Sequence, residues 1–401
     1  MGVLSIGGKK NFKFDTHIVV DKVDFTENKE LELNSNKNDS SYNLLLEGDN
    51  LYSLHFLMKE YENRIHVIYI DPPYNRGKND FVYTDNFLTN GNKHLKWLEF
   101  MNSRLILAKR LLRDDGVILI SIDENELFHL KLLCDDIFDE ENFIANFIWQ
   151  NKYSPSNDKK GITSVTEYIL CYAKDKTKVT YNNLPLRDDY IKNTYKNPDN
   201  DPRGPWRSCS LYRAKNPVSY EIVSPTGKVW NKPWNYSKEN MAKLIDDNRI
   251  YWGKDGNGVP SKKVFLFESV GRKPTNLILG KDVCFSLNGS EELKEIFGNR
   301  EIFQHPKPVK LMKFLLQIFV KKDSIILDFF AGSGTTGQAV LELNRDDNGK
   351  RKFILCQNNE NNICMSVTYE RLKRIIKGYT NMKNGKFVAG IPANLKYFKQ
   401  T

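Results

Sequence analysis

Asp71-Pro72-Pro73-Tyr74 is a segment whose residue types could do chemistry together. It follows His66-Val67-Ile68-Tyr69-Ile70, a short apolar run that reads as a buried strand. An exocyclic amine on a nucleic-acid base is a poor nucleophile, because its lone pair is delocalised into the ring. A carboxylate accepting one N–H and a backbone carbonyl accepting the other would aim that lone pair at an electrophile. Asp71 supplies the first acceptor, and the Pro72 carbonyl is a candidate for the second. Consecutive prolines (Pro72, Pro73) fix the backbone and so preorganise both acceptors. The Tyr74 ring can stack on a base taken out of the duplex, which contributes about 1–3 kcal/mol per base. Positioning matters more than proton abstraction here, since the proton can leave once the amine is cationic. The competing reading is a structural turn with two prolines and a buried tyrosine.

A second constellation, Asp328-Phe329-Phe330-Ala331-Gly332-Ser333-Gly334-Thr335-Thr336, follows the apolar run Ser324–Leu327 and opens a helix. Glycines let a backbone approach a ligand closely, and strand carboxyl ends are where open α/β sheets bind ligands. The turn is not a phosphate loop, since no Lys-Ser or Lys-Thr follows the glycines. Gly337 keeps a dinucleotide turn open on spacing alone. The D-x-F-x-G-S-G-T string resembles the S-adenosylmethionine loop of amino-methyltransferases. On that resemblance Asp328, Phe329, Phe330, Ala331, Gly332, Ser333, Gly334 and Thr335 are expected to bind that cofactor.

The elements that must position these turns follow from periodicity. Apolar runs at 42–46, 66–70, 116–122, 165–173, 324–328 and 352–356 read as buried strands, and Phe147-Ile148-Trp149 as the start of another. Helical patterns follow Asp49 and cover 94–113, 124–138, 310–320, 335–344 and 361–377. The alternation predicts an α/β fold with a parallel sheet covered on both faces. Residues 1–41 read as an N-terminal extension and linker, 42–175 and 301–401 as two halves of one catalytic domain, and 176–300 as an insertion. The residues from Asn381 read as a solvated tail.

Composition narrows the class. Net charge is +10 over 401 residues, which suits a polyanionic partner or a Lys-rich proteome equally. The longest apolar runs are far shorter than the roughly 20 residues a membrane span needs, so no membrane association is expected. No secretory signal or myristoylation pattern opens the chain, and a bacterial cytoplasmic location is expected. The cysteines show no C-x-x-C spacing, so neither a disulfide framework nor a bound metal is expected.

Together these motifs resemble the beta-class amino-methyltransferases of DNA, and most closely the methylation subunit of type III restriction-modification systems. The likeness runs from about residue 42 to 377. It includes Leu46–Asn50, Ile68–Asn75, Asp80–Tyr83, Asn197–Trp206, Tyr251–Gly256 with Pro260 and Lys262, and His305-Pro306-Lys307-Pro308. The resemblance implies a Rossmann-like S-adenosylmethionine-dependent methyltransferase sheet, mostly parallel with one antiparallel edge strand. It implies adenine-N6 methylation, Asp49 near the adenine of the cofactor, and Lys307 and Pro308 near its methionine end. It also implies a homodimer on double-stranded DNA. The chain departs from the wider class after the strand 352–356, where Gln357 stands in place of an acid and is read as the ribose contact. It is also short for a type III subunit, which makes a restriction subunit an open partner.

The insertion is rich in basic and aromatic residues, among them Arg203, Trp206, Arg207, Arg213, Lys215, Lys262 and Lys263. It is read as the target-recognition domain, with Arg203, Trp206, Arg207, Lys262 and Lys263 as DNA contacts. Core packing is the competing role for each aromatic. N4-cytosine methylation, an RNA substrate, a silent DNA-binding protein and a dehydrogenase are the rival functions. Asp71, where cytosine enzymes more often carry Ser, favours adenine.

Overall fold

The computed structural model describes residues 4–5, 11–12, 23–37, 40–77, 93–155, 161–212, 217–299 and 301–401. It divides into two compact units, Met1–Asn182 with Pro274–Thr401, and Asn183–Lys273. The Asp80–Tyr83 segment, Arg213 and Lys215 lie outside the described residues.

The larger unit is built on an eleven-stranded sheet. In chain order its strands are β1 (Phe25–Glu27), β2 (Leu33–Asn34), β3 (Asn43–Glu47), β4 (Ile65–Ile70), β5 (Leu112–Ile122), β6 (Phe143–Gln150), β7 (Thr166–Ala173), β8 (Leu277–Ile278), β9 (Ile325–Asp328), β10 (Lys352–Gln357) and β11 (Asn394–Gln400). Across the sheet they run β8-β6-β7-β5-β4-β9-β10-β3-β11-β1, with β2 also paired to β11. From β5 through β4, β9, β10 and β3 to β11 every pairing is parallel.

The expected reversed strand is β7. It lies inside the sheet, antiparallel to both β5 and β6, because β8 and β6 extend the sheet beyond it. The short β1 and β2 are reversed at the other end.

Two rows of helices cover the sheet. The first is α1 (Asn50–Tyr61), α2 (Lys93–Leu111) and α3 (Leu127–Phe138). The second contains α4 (Ser286–Phe297), α5 (Val309–Phe319), α6 (Thr335–Asp347) and α7 (Glu370–Lys377). Strand alternation explains how both rows find a partner. Ile68, Ile70, Ile118 and Ile120 pack with Leu54, Leu57, Trp97, Met101 and Leu130 of the first row. Their neighbours Val67, Tyr69, Val117 and Leu119 are equally buried and point to the opposite face. That double burial is why these strands read as continuous apolar runs rather than alternating ones.

Three boundaries differ from the sequence reading. The 1–41 linker contains two sheet strands, since β1 pairs with Phe398–Gln400 and β2 with Asn394–Leu395. The solvated tail likewise ends in β11, whose Leu395 and Tyr397 are fully buried beside β3. The insertion, read as 176–300, is compact only over Asn183–Lys273. Beyond it, Leu277 and Ile278 pair with Ile148 and Trp149 of β6. These pieces were too short or too polar to show a period, and only the sheet edges they cover make them strands.

The smaller unit has its own core of Leu211, Ile222, Trp234, Met241, Ile250 and Trp252. It contains a hairpin, Val218–Val223 with Val229–Trp234, and an antiparallel sheet ordered 206–210, 261–265, 250–251.

Candidate active site

The two sequence turns meet because β4 and β9 are adjacent and parallel. Val67 stands opposite Ile326 and Ile68 opposite Leu327, so Asp328 comes level with Tyr69. Both turns therefore leave the sheet at its carboxyl edge, where the strand order changes direction. A cavity of about 320 Å³ opens there, within the range of small-molecule sites. Its lining includes Asp49, Asp71, Pro73, Lys307, Gln357 and Asp328 through Ser333, with Thr335. Of the expected site residues, Pro72, Tyr74, Pro308 and Gly334 do not line it.

Asp71 sits in a charged hydrogen-bond cluster. The Lys307 ammonium donates to its two carboxylate oxygens at 2.7 and 2.8 Å. The Tyr74 hydroxyl donates to Asp71 Oδ1 at 2.8 Å and receives Lys307 Nζ at 2.9 Å. Glu167 on β7 stands 3.5 Å from Lys307 Nζ and accepts from Asn151 at 2.8 Å. Burial alone would lower the Lys307 pKa, but Asp71 and Glu167 outweigh it and hold the ammonium above the usual lysine range. Burial, then the Asp71 charge, pushes the Tyr74 hydroxyl well above the ordinary tyrosine range.

Tyr74 is buried, with its ring beneath the Arg76 guanidinium. In this arrangement it braces Asp71 rather than presenting a face to the cavity. The Pro73 carbonyl is taken by Trp97 Nε1 at 2.7 Å, which anchors the turn to α2.

The glycine turn is held from several sides. Gly332 has φ +52° and Gly334, which caps α6, has φ +79°. A Cβ on Gly332 would lie 2.9 Å from the Phe303 ring. The Gly332 N–H donates to Gln357 Oε1 at 2.7 Å, and the Thr368 hydroxyl donates to the Gly332 carbonyl at 2.6 Å. Gln357 Nε2 donates in turn to Asn358 Oδ1 at 2.9 Å, so this side chain, read as a ribose contact, lines the cavity and also supports the turn. Asp328 is buried and accepts from the Thr336 hydroxyl at 2.6 Å and the Phe330 amide at 3.0 Å. Burial outweighs both bonds and raises its pKa to about 7. Gly337, which had kept a dinucleotide turn open, serves packing: a Cβ there would meet Leu372 at 2.7 Å.

Asp49 caps α1, accepting from the Leu51 amide at 2.8 Å, and faces Arg104 at 3.3 Å. Arg104 is buried, which lowers its pKa to about 10 against the opposing pull of Asp49. Its guanidinium lies 3.7 Å over the Phe100 ring.

Several lining residues had no local signal. Phe100 sits mid-helix on α2, and Phe303 and Gln304 come just before the His305–Pro308 segment. Glu360 supplies an acid three residues beyond Gln357. Its position after β10 is the one clue sequence could have offered.

The smaller unit corrects two of the expected DNA contacts, Lys263 and Trp206. Lys263 is 1% exposed and its ammonium binds Asp201 at 3.0 Å and Asp199 at 2.5 Å. Trp206 is buried and donates to Asp199 at 2.8 Å. Arg203 pairs with Asp201 at 2.9 Å and Asp247 at 3.1 Å. Arg203, followed by Lys263, holds Asp201 well below the usual carboxylate range. Lys263, Trp206 and Asp201 belong to the unit's interior, whereas the Arg203 side chain stays 27% exposed. Lys262, on the opposite face of the same strand, is half-buried and donates to the Tyr236 hydroxyl at 3.2 Å. Arg207 is half-buried and donates to Cys209 Sγ at 3.1 Å.

A model of the DNA methylase family matches residues 65–377, and the chain belongs to that family. Its relatives narrow the kinship. It is 37% identical over 389 residues to the type III restriction-modification enzyme StyLTI Mod subunit of Salmonella typhimurium, covering 89% of this chain and 59% of the relative. It is 33% identical over 381 residues to the EcoPI Mod subunit of Escherichia phage P1, covering 81% of this chain and 58% of the relative. It is 31% identical over 354 residues to the type II methyltransferase M.KpnI of Klebsiella pneumoniae, covering 80% and 82%. The chain thus spans about six-tenths of the length of the two Mod subunits.

Proposed function

We propose that the chain is an S-adenosylmethionine-dependent DNA methyltransferase acting on N6 of adenine, the modification component of a restriction-modification system in the bacterial cytoplasm. The observation that carries this reading is the convergence of Asp71 and the glycine turn on one cavity. The residues fit the cofactor: positive-φ Gly332 leaves room for it, and Phe100, Phe329 and Phe330 offer apolar surface beside Asp49 and Glu360. S-adenosylmethionine supplies an activated methyl group on a sulfonium.

Everything else falls to the chain. Asp71 accepts one N–H of the target amine, and the Pro72 carbonyl accepts the other, since that of Pro73 is engaged by Trp97. The incoming amine takes over the Asp71 oxygens now held by the Lys307 ammonium. Tyr74 keeps the carboxylate oriented meanwhile, and the released proton can pass to it after transfer. The Mod and methyltransferase relatives support a DNA substrate. A homodimer and a restriction subunit are further parts of this proposal.

The test is transfer of labelled methyl from S-adenosylmethionine to unmodified bacterial DNA, followed by nucleoside separation. Label in N6-methyladenine is expected. Asp71→Ala should lower single-turnover transfer by about 10²–10³-fold or more, with cofactor affinity largely kept. Label in N4-methylcytosine would overturn the base, and equal loss of cofactor binding would overturn the role of Asp71.

A further inference from the structure

Away from the cavity, two histidines and a glutamate converge: His94 on α2, and Glu126 and His129 at the start of α3. One ligating atom from each lies within 4.8 Å of the others. Glu126 is fully buried. Its Oε1 receives His94 Nδ1 at 2.6 Å and the Asn75 amide at 2.6 Å. Its Oε2 faces His129 Nδ1 at 3.1 Å, yet neither of those two buried atoms has a hydrogen bond. A buried carboxylate oxygen without a donor is costly, so this pair needs an explanation. The two imidazoles stack with centroids 4.4 Å apart, and both turn Nδ1 toward the one carboxylate.

We propose that His94, Glu126 and His129 form a binding site for a divalent transition-metal ion of the zinc type. Two imidazoles and a carboxylate suit such ions rather than magnesium or calcium. Ligands about 2.1 Å from one tetrahedral ion lie about 3.4 Å apart, close to the 3.1 Å between His129 and Glu126. His94 contacts the other oxygen, Oε1, at 2.6 Å, so the carboxylate has to shift to offer one oxygen to an ion shared by both imidazoles. Both histidines are partly exposed, at 29% and 28% of their side chains, which leaves an outer position for water.

The ion would act as a clip. Asn75 directly follows Tyr74, and its amide is bound to Glu126 and to the Lys93 carbonyl. Metal at Glu126 would therefore fasten the end of the D-P-P-Y turn to α2 and α3, and Asn75 would orient the ligating carboxylate. The cysteines take no part in this site, and histidines at 94 and 129 show no metal-site spacing in sequence.

The experiment is titration of tag-free full-length protein, stripped with chelator, with CoCl2 and then ZnCl2. One equivalent of cobalt per chain should bind tighter than about 10 µM, with visible d–d absorption that zinc abolishes. Affinity should fall as pH drops and the imidazoles take up protons. His94→Ala and His129→Ala should each weaken uptake by about tenfold or more, whereas His55→Ala, an exposed histidine on α1, should not. His129→Cys, with its fold checked by circular dichroism, should keep one-equivalent binding and add thiolate-to-cobalt charge-transfer absorption that the wild-type chain lacks. Absence of stoichiometric uptake by the wild-type chain overturns the site. So does uptake that ignores both histidine variants and shows no new band with His129→Cys.

Discussion

At the scale of the residue, the two aspartates of the site have different partners. Asp71 is pinned by an ammonium and a phenol, whereas Asp328 has only a hydroxyl and an amide to set against burial. The Asp328 pKa is about 7 in the folded chain against an ordinary 3.8. The unfolded chain therefore gives up this proton first. The stability that the protonated carboxyl supplies is complete below about pH 4 and lost as pH rises through about 7. Asp328→Asn should flatten that slope, so its melting temperature should fall less than wild type between those pH values. A slope unchanged in the variant would assign the titration to another group. The chemistry of Asp71 was legible in the sequence because D-P-P-Y is local. Its partner Lys307 was not, being 236 residues away along the chain, and neither was Glu167, which contacts Lys307 in turn.

Elements decide what a residue can reach. The glycine turn needs positive φ at Gly332 and lies against Phe303, so a side chain there meets both backbone strain and a clash. Gly332→Ala should cost about 1–2 kcal/mol of stability and weaken cofactor binding measured by calorimetry; unchanged affinity would show that the turn does not cradle the ligand. In the smaller unit, alternation along the strand 261–265 turns Lys262 outward and Lys263 inward. Lys263→Ala would leave Asp201 buried without its ammonium, a loss of about 3–5 kcal/mol. Thermal melting should show this as destabilisation. A stable variant with weaker DNA binding would instead restore Lys263 as a DNA contact. Adjacent lysines looked equivalent in sequence because charge carries no information about which face of a strand it occupies.

For the whole molecule, the net charge of +10 gains meaning from the family to which the chain belongs. If basic side chains neutralise phosphates, DNA affinity should fall linearly on a log–log plot against salt, with a slope near −0.9 per phosphate neutralised. Filter binding at increasing salt would measure it, and a flat response would rule out phosphate neutralisation as the source of affinity.

The sequence by itself determined the chemistry and the fold class: two motifs, each at the end of a buried apolar run, within an alternation of strands and helices. Those signals are local, set by side-chain period and backbone restriction over a few residues. Only the tertiary structure decided that β4 and β9 lie side by side and bring Asp71 to the glycine turn. It alone made strands of polar segments at 25–34 and 394–400, which gain their hydrogen bonds only by pairing with each other and with β3. It also took Trp206 and Lys263 from surface to interior. Burial and pairing depend on neighbours far away in the chain, and no window of sequence contains them.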